Sequence, residues 1–330
     1  MTIARKNIID SEIPGFYHCT NRCVRRTFLC GIDELTGNNY SHRKDWLEAR
    51  MFDLCKLFSV EIYAYAIMDN HYHIVLHLDP LEPLNWRKEE VAEKWLSAFN
   101  TSEDPKLAKQ RELKKQAIIA DKTKIKLYRE RLGSLSWFMK CLNEPLAKQA
   151  NKEDMCTGSF WQGRYSSQAL LDEAAVFSCM AYVDLNPVRA RITGKLDQSN
   201  HTSIKKRLSE VQQIDSADVQ LKSNQAITAI SNQVISKPLS ISTKNYIALV
   251  EWTGKNIIYP NKAAMPKNIQ CSLKSLNLQH HHWLKQLENF EQHYCHVVGP
   301  VELIKEKAKQ LKLRCMKGVS AARLLYEKTG

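Results

Sequence analysis

Two histidines one residue apart sit inside an apolar run, Ala66-Ile-Met-Asp-Asn-His-Tyr-His-Ile-Val-Leu-His-Leu-Asp79. In a strand, residues i and i+2 share a face and lie about 6.6 Å apart at roughly 3.3 Å per residue. His71 and His73 can therefore converge on one ion while Tyr72 points the other way; two satisfied, half-buried histidines are the alternative. His77 falls on the same face, too far along to share that ion. A third ligand has to come from another element, and Ala181-Tyr-Val-Asp-Leu-Asn-Pro187 offers one. Tyr182 and Asn186 are i and i+4 on one helix face. Pro187 disfavours helical geometry at Asn186, which places that residue at the helix end with its side chain free. A His–His–Asn set without thiolate suits Mg²⁺ or Mn²⁺ at least as well as zinc. A phosphate oxygen on such an ion is polarised. A phenol one turn away can attack phosphorus in line, giving a phosphotyrosine and a free 3′ hydroxyl, reversibly and without ATP. From this heptapeptide alone an ordinary core-edge tyrosine stays open.

The elements that would position these residues follow the hydrophobic period. Gly15 to Val24 reads as a first strand, and Asp45 to Phe58 as a helix with Trp46, Leu47, Met51, Leu54, Leu57 and Phe58 apolar. Val60–Met68 and His71–Leu78 flank the turn dipeptide Asp69-Asn70 and form a hairpin. Residues 80–133 are helical, highly charged and inserted at the surface. Ser134 to Ala150 is an amphipathic helix that Pro145 is expected to break or kink. Gly158–Leu170 reads as another strand, and Asp172 starts a helix that Pro187 stops. This order is the α+β, ferredoxin-like (split βαβ) pattern with an antiparallel sheet and a helical insertion. Residues 1–207 form this domain, 208–242 a polar linker, and 243–330 a small helical C-terminal module.

Lys and Arg number 48 against 35 Asp and Glu, a net charge of +13 over 330 residues. That balance favours a polyanionic partner, most simply nucleic acid. No stretch approaches the roughly 20 apolar residues of a membrane span, and the first residues are charged, so a soluble, cytoplasmic protein is expected. The 10 cysteines are scattered singly, which predicts reduced thiols rather than a disulfide framework or a zinc finger.

Four segments together, YHCTNRCVRR, AIMDNHYHIVL, GSFWQGRYSS and YVDLNPVRARI, resemble the single-tyrosine HUH transposases of bacterial insertion sequences. The chain is more similar to their REP-associated relatives, the tyrosine transposases linked to repeated extragenic palindromes. The resemblance covers roughly residues 13–207; LVEWTGK through VVG is similar to extensions of longer members. It implies His71 and His73 as the metal pair, Asn186 as third ligand, Tyr182 as nucleophile, and single-stranded or hairpin DNA as partner. Asp69 stands where most members carry a small residue or proline. The family allows monomers and homodimers, and no small-molecule cofactor is expected.

With DNA as substrate, Asn21, Arg22, Arg25 and Arg26 at the first strand's end are suited to phosphates and base edges. Trp161 and Arg164 are placed to stack on or clamp an unpaired base, and Arg189 and Arg191 to face the backbone. Tyr165 is the rival nucleophile, lying on a strand with no ligand at a fixed offset. His280 to His282 read as a solvated helix start. The competing functions are a catalytically idle hairpin-binding regulator and, last, an RNA-binding module.

Overall fold

β1 (Gly15–Arg22) lies between β3 (His71–Leu78) and β4 (Ser166–Leu170), with β2 (Val60–Ile67) outside β3. All three pairings are antiparallel. A two-residue β5 (Val297–Val298) extends the far edge in parallel with β4, giving the order β2-β3-β1-β4-β5 in this mixed α+β chain. The computed structural model describes residues 4–24, 30–33, 37–99, 105–212, 226–231, 238–260 and 264–326. Arg25 and Arg26 lie outside them, as does most of the expected linker.

Register decides which side chains meet. Arg22 pairs with His71, Thr20 with His73 and His18 with Val75, while Thr20 and His18 pair with Ser166 and Gln168 across β4. Because side chains alternate, His18, Thr20, Arg22, His71, His73, Ser166 and Gln168 share one face. The opposite face carries Tyr17, Cys19, Tyr72, Ile74 and Leu76, all buried. α1 (His42–Cys55) and α5 (Leu135–Glu153) lie on that side, where Asn143 of α5 accepts from the Tyr72 hydroxyl. α5 runs through Pro145 without ending.

Across the histidine face runs α6 (Glu173–Asp184), whose start is capped by the Asp172 carboxylate accepting from the Ala175 N–H. Its residues from Ala174 to Asp184 are all buried, as befits a helix covered on both sides. Pro187 does not stop this helix. α6 ends at Asp184, and Pro187 lies in the first turn of a second short helix, α7 (Asn186–Arg189). There a missing N–H costs nothing.

The insertion forms α2 (Lys88–Phe99), α3 (Pro105–Ala120) and α4 (Lys122–Leu132), closed by Trp95 stacked on Tyr128 at 4.4 Å. The strand predicted over 158–170 is shorter, because residues before Ser166 cross the end of β1. Cys23 bridges Trp161, and the Gln162 N–H donates to the Arg22 carbonyl.

α8 (Ser203–Gln212) and the helices beyond it share one apolar core with the sheet. The Tyr246 hydroxyl, from α9 (Thr243–Ile258), bonds the Asp184 carboxylate. Phe177 of α6 packs on Tyr246 and Trp283. The Tyr326 hydroxyl donates to Asp172 at 3.0 Å. Among the described residues no helix is long and apolar enough to cross a membrane.

Candidate active site on the histidine face

A cavity of about 480 Å³ opens over the polar row of the sheet, walled by His18, Thr20, Arg22, His71, His73 and Gln168. The tautomers of its histidines follow from their partners. The Gln168 amide oxygen can only accept, so His18 Nδ1, 2.7 Å away, carries the proton. His18 Nε2 is then the acceptor for His73 Nδ1–H at 3.0 Å. That leaves His73 Nε2 with a lone pair, buried and without a hydrogen-bond partner among the described residues. At His71, Nδ1 donates to the Asn70 side-chain oxygen at 2.6 Å, and Nε2 again keeps the lone pair.

All three rings are held neutral. Burial lowers the His18 and His73 pKa values, His73 further through its histidine neighbours. Burial first and the Arg22 charge second bring His71 down to about 4. Two neutral imidazoles with anchored Nδ1–H groups and free Nε2 lone pairs are the state a divalent cation binds. The unpartnered His73 nitrogen fits such an ion. Among the described residues, no three His, Cys, Asp or Glu side chains already stand in position to hold one.

The turn delivering these histidines is held from outside. The Asp69 carboxylate pairs with Lys44, and its carbonyl accepts from the Cys30 N–H. A Cβ at Gly31 would meet that carboxyl at 2.5 Å. The Asp69 that distinguishes this turn is thus bound into its surroundings.

α6 carries Tyr182 to the same place. Its ring lies edge-on to His73 at 5.7 Å and His18 at 6.2 Å, and stacks on Phe290 at 4.7 Å. The Arg189 guanidinium sits 4.6 Å over the ring. Burial, then the Glu291 carboxylate, raises the phenol pKa, with Arg189 opposing. Only 2% of Tyr182 is exposed, so the nucleophile expected from the sequence is sheathed. Asn186, the expected third ligand, is buried with its amide donating to the Tyr182 carbonyl at 3.3 Å; it does not wall the cavity.

The expected DNA contacts divide. Asn21, Arg22 and Arg164 line the cavity. Asn21 is also bonded to Asn143 of α5 at 3.2 Å. Trp161 is mostly buried, its indole N–H donating to the Asn143 carbonyl at 3.1 Å and its ring edge-on to Tyr72. Arg189 donates to the Glu288 carbonyl, and Arg191 lies exposed beyond α7 at φ 57°. Tyr165 lines a neighbouring cavity of about 350 Å³ with Trp161, Arg164 and Asn143, away from the histidines. Burial pushes its pKa up to about 12.

Three site residues lay outside the sequence expectations. His18 and Gln168 set the tautomer of His73, and their only sequence signal is i, i+2 spacing from Thr20 and Ser166. Glu291, in a short helix spanning Phe290–His293, also walls the cavity. It belongs to no motif.

No protein-family model and no curated protein matches this sequence. Among solved structures, the chain has a distant likeness to a REP-associated tyrosine transposase bound to a REP hairpin. Identity is 13% and the TM-score 0.34, over 63% of this chain and 86% of that one.

Proposed function

We propose that this protein cuts and rejoins single-stranded DNA beside a hairpin, on a ferredoxin-like split βαβ core, with Tyr182 as nucleophile. His71 and His73 would hold Mg²⁺ or Mn²⁺. The observation that carries the proposal is the convergence of two free histidine lone pairs and the Tyr182 ring from elements about a hundred residues apart. Held there, such an ion would supply Lewis-acid polarisation of the scissile phosphate. Arg22 and Arg164 stand at the same cavity to take phosphate charge. The Tyr182 oxygen attacks phosphorus and its proton leaves to water. The new P–O bond joins DNA to the phenol, the P–O3′ bond breaks, and O3′ takes a proton. A second 3′ hydroxyl reverses the sequence. Burial holds the phenol pKa up and Tyr182 is only 2% exposed, so attack requires the ring to be uncovered and its proton lost.

The closure of Tyr182 under Phe290 favours a second reading, a hairpin-binding regulator without turnover. The two are separated with single-stranded hairpin DNA from the flanks of the protein's own gene, in Mg²⁺ or Mn²⁺ with EDTA controls. A metal-dependent covalent adduct that disappears in Tyr182→Phe is expected. Tight binding without an adduct would favour the regulator, and an adduct surviving Tyr182→Phe would move the nucleophile to Tyr165.

A further inference from the structure

We propose that Glu291, in the C-terminal part of the chain, is the third protein ligand of the cation site, making it a site for a hard divalent ion. The proposal rests on His71 and His73 as cation ligands and adds a residue that no motif marks. Glu291 is the one carboxylate among the described residues that wall the cavity. Its Oε1 lies 4.0 Å from the buried, unpartnered Nε2 of His73. Donors bound to one ion at about 2.1 Å are separated by roughly 3.0 Å when cis and about 4.2 Å when trans. The observed separation falls inside that span, so His73 and Glu291 are spaced as two donors to one ion would be, although the described residues do not yet close the three-donor set. The Glu291 side chain is 54% exposed, and its carboxylate also accepts a hydrogen bond from the Tyr182 phenol, whose pKa, raised first by burial, it raises further. The backbone beneath it is fixed by Phe290, fully buried against Tyr182, and by buried Tyr294.

Chemistry points the same way. Two neutral imidazoles alone suit zinc or copper, whereas a carboxylate shifts the preference toward Mg²⁺ or Mn²⁺. The cavity is otherwise cationic, with Arg22 and Arg164 in its walls and Arg189 beside Tyr182. A cation entering it meets net repulsion unless an anion is present, and Glu291 supplies that charge. Asn186 meanwhile has its amide on the Tyr182 carbonyl.

The test is direct Mn²⁺ binding to the full-length protein without DNA, read by the loss of the free Mn²⁺ signal in electron paramagnetic resonance. Wild type, Glu291→Gln, Glu291→Asp, Asn186→Ala and His73→Ala are compared, with thermal unfolding to check each fold. Glu291→Gln is expected to weaken Mn²⁺ binding about tenfold or more. Glu291→Asp should fall between it and wild type, and Asn186→Ala should be unchanged. Binding that is lost in His73→Ala but untouched in Glu291→Gln overturns the role of Glu291 while leaving the histidine pair standing. Glu291→Gln that keeps Mn²⁺ affinity and tightens oligonucleotide binding makes the carboxylate a plug for the phosphate position, which also overturns it. A wild type that binds no Mn²⁺ removes both this ligand and the cation from the proposed function.

Discussion

His73 owes its free lone pair to a residue 55 positions away, because His18 accepts from its Nδ1–H and is itself fixed by Gln168. Replacing His18 by Ala frees the His73 ring to flip and leaves its Nδ1–H buried without an acceptor. Cation affinity should then fall about 10- to 100-fold, the usual effect of losing an orienting partner. Mn²⁺ titration of His18→Ala checks this, and unchanged affinity would deny His18 its positioning role. Phe290→Ala should have the opposite sense. Uncovering the Tyr182 ring is expected to speed adduct formation in single-turnover assays, while removing the stack lowers the unfolding midpoint. The shared face of His71 and His73 was legible from their strand spacing, whereas Tyr182 as nucleophile came only with the family resemblance, its heptapeptide alone leaving a core-edge tyrosine open. His18 was not legible, since its meaning depends on the register of β1 against β4. Glu291 was not, since nothing local distinguishes it from any surface glutamate.

Asp184 joins three helices at the end of α6. Its carboxylate accepts from the Ser203 hydroxyl, the Ile204 N–H at 2.9 Å and the Tyr246 hydroxyl. Complete burial nevertheless raises its pKa from 3.8 to about 6, with the hydrogen bonds opposing. Between those values the folded protein holds a proton that the unfolded chain has released. The contribution of the protonated group is therefore complete below the unfolded value and lost as pH rises through the folded one. Stability of wild type relative to Asp184→Asn should fall from pH 4 to pH 7 by on the order of 3 kcal/mol. Urea unfolding at both pH values measures it, and a flat difference would refute it. At this scale the four long strands and the insertion helices follow their sequence periods. The boundaries that moved did so for tertiary reasons. Residues 158–165 were drawn off the strand by the end of β1, and Pro187 found a helix start to occupy. β5, two residues long, has no period to read.

Over the whole chain, a net charge of +13 predicts that oligonucleotide affinity falls linearly in log–log form with salt; a salt-independent Kd would contradict it. The C-terminal residues, expected as a small helical module, bury α6 through Tyr246, Trp283 and Phe290 and lengthen the sheet through β5. A chain cut after residue 207 loses these covers. It should show no cooperative thermal transition; a truncation that keeps full stability would show that the module folds apart from the sheet. β5 also has a consequence in time. β5 is made long after β4, so on the growing chain the outer edge of β4 stands open and Tyr182 lacks its Phe290 cover, a combination that invites strand addition from other chains. Pairing of Val297 and Val298 with Ala169 and Leu170 closes that edge, so the last strand of the sheet also shields the first-made ones from foreign partners.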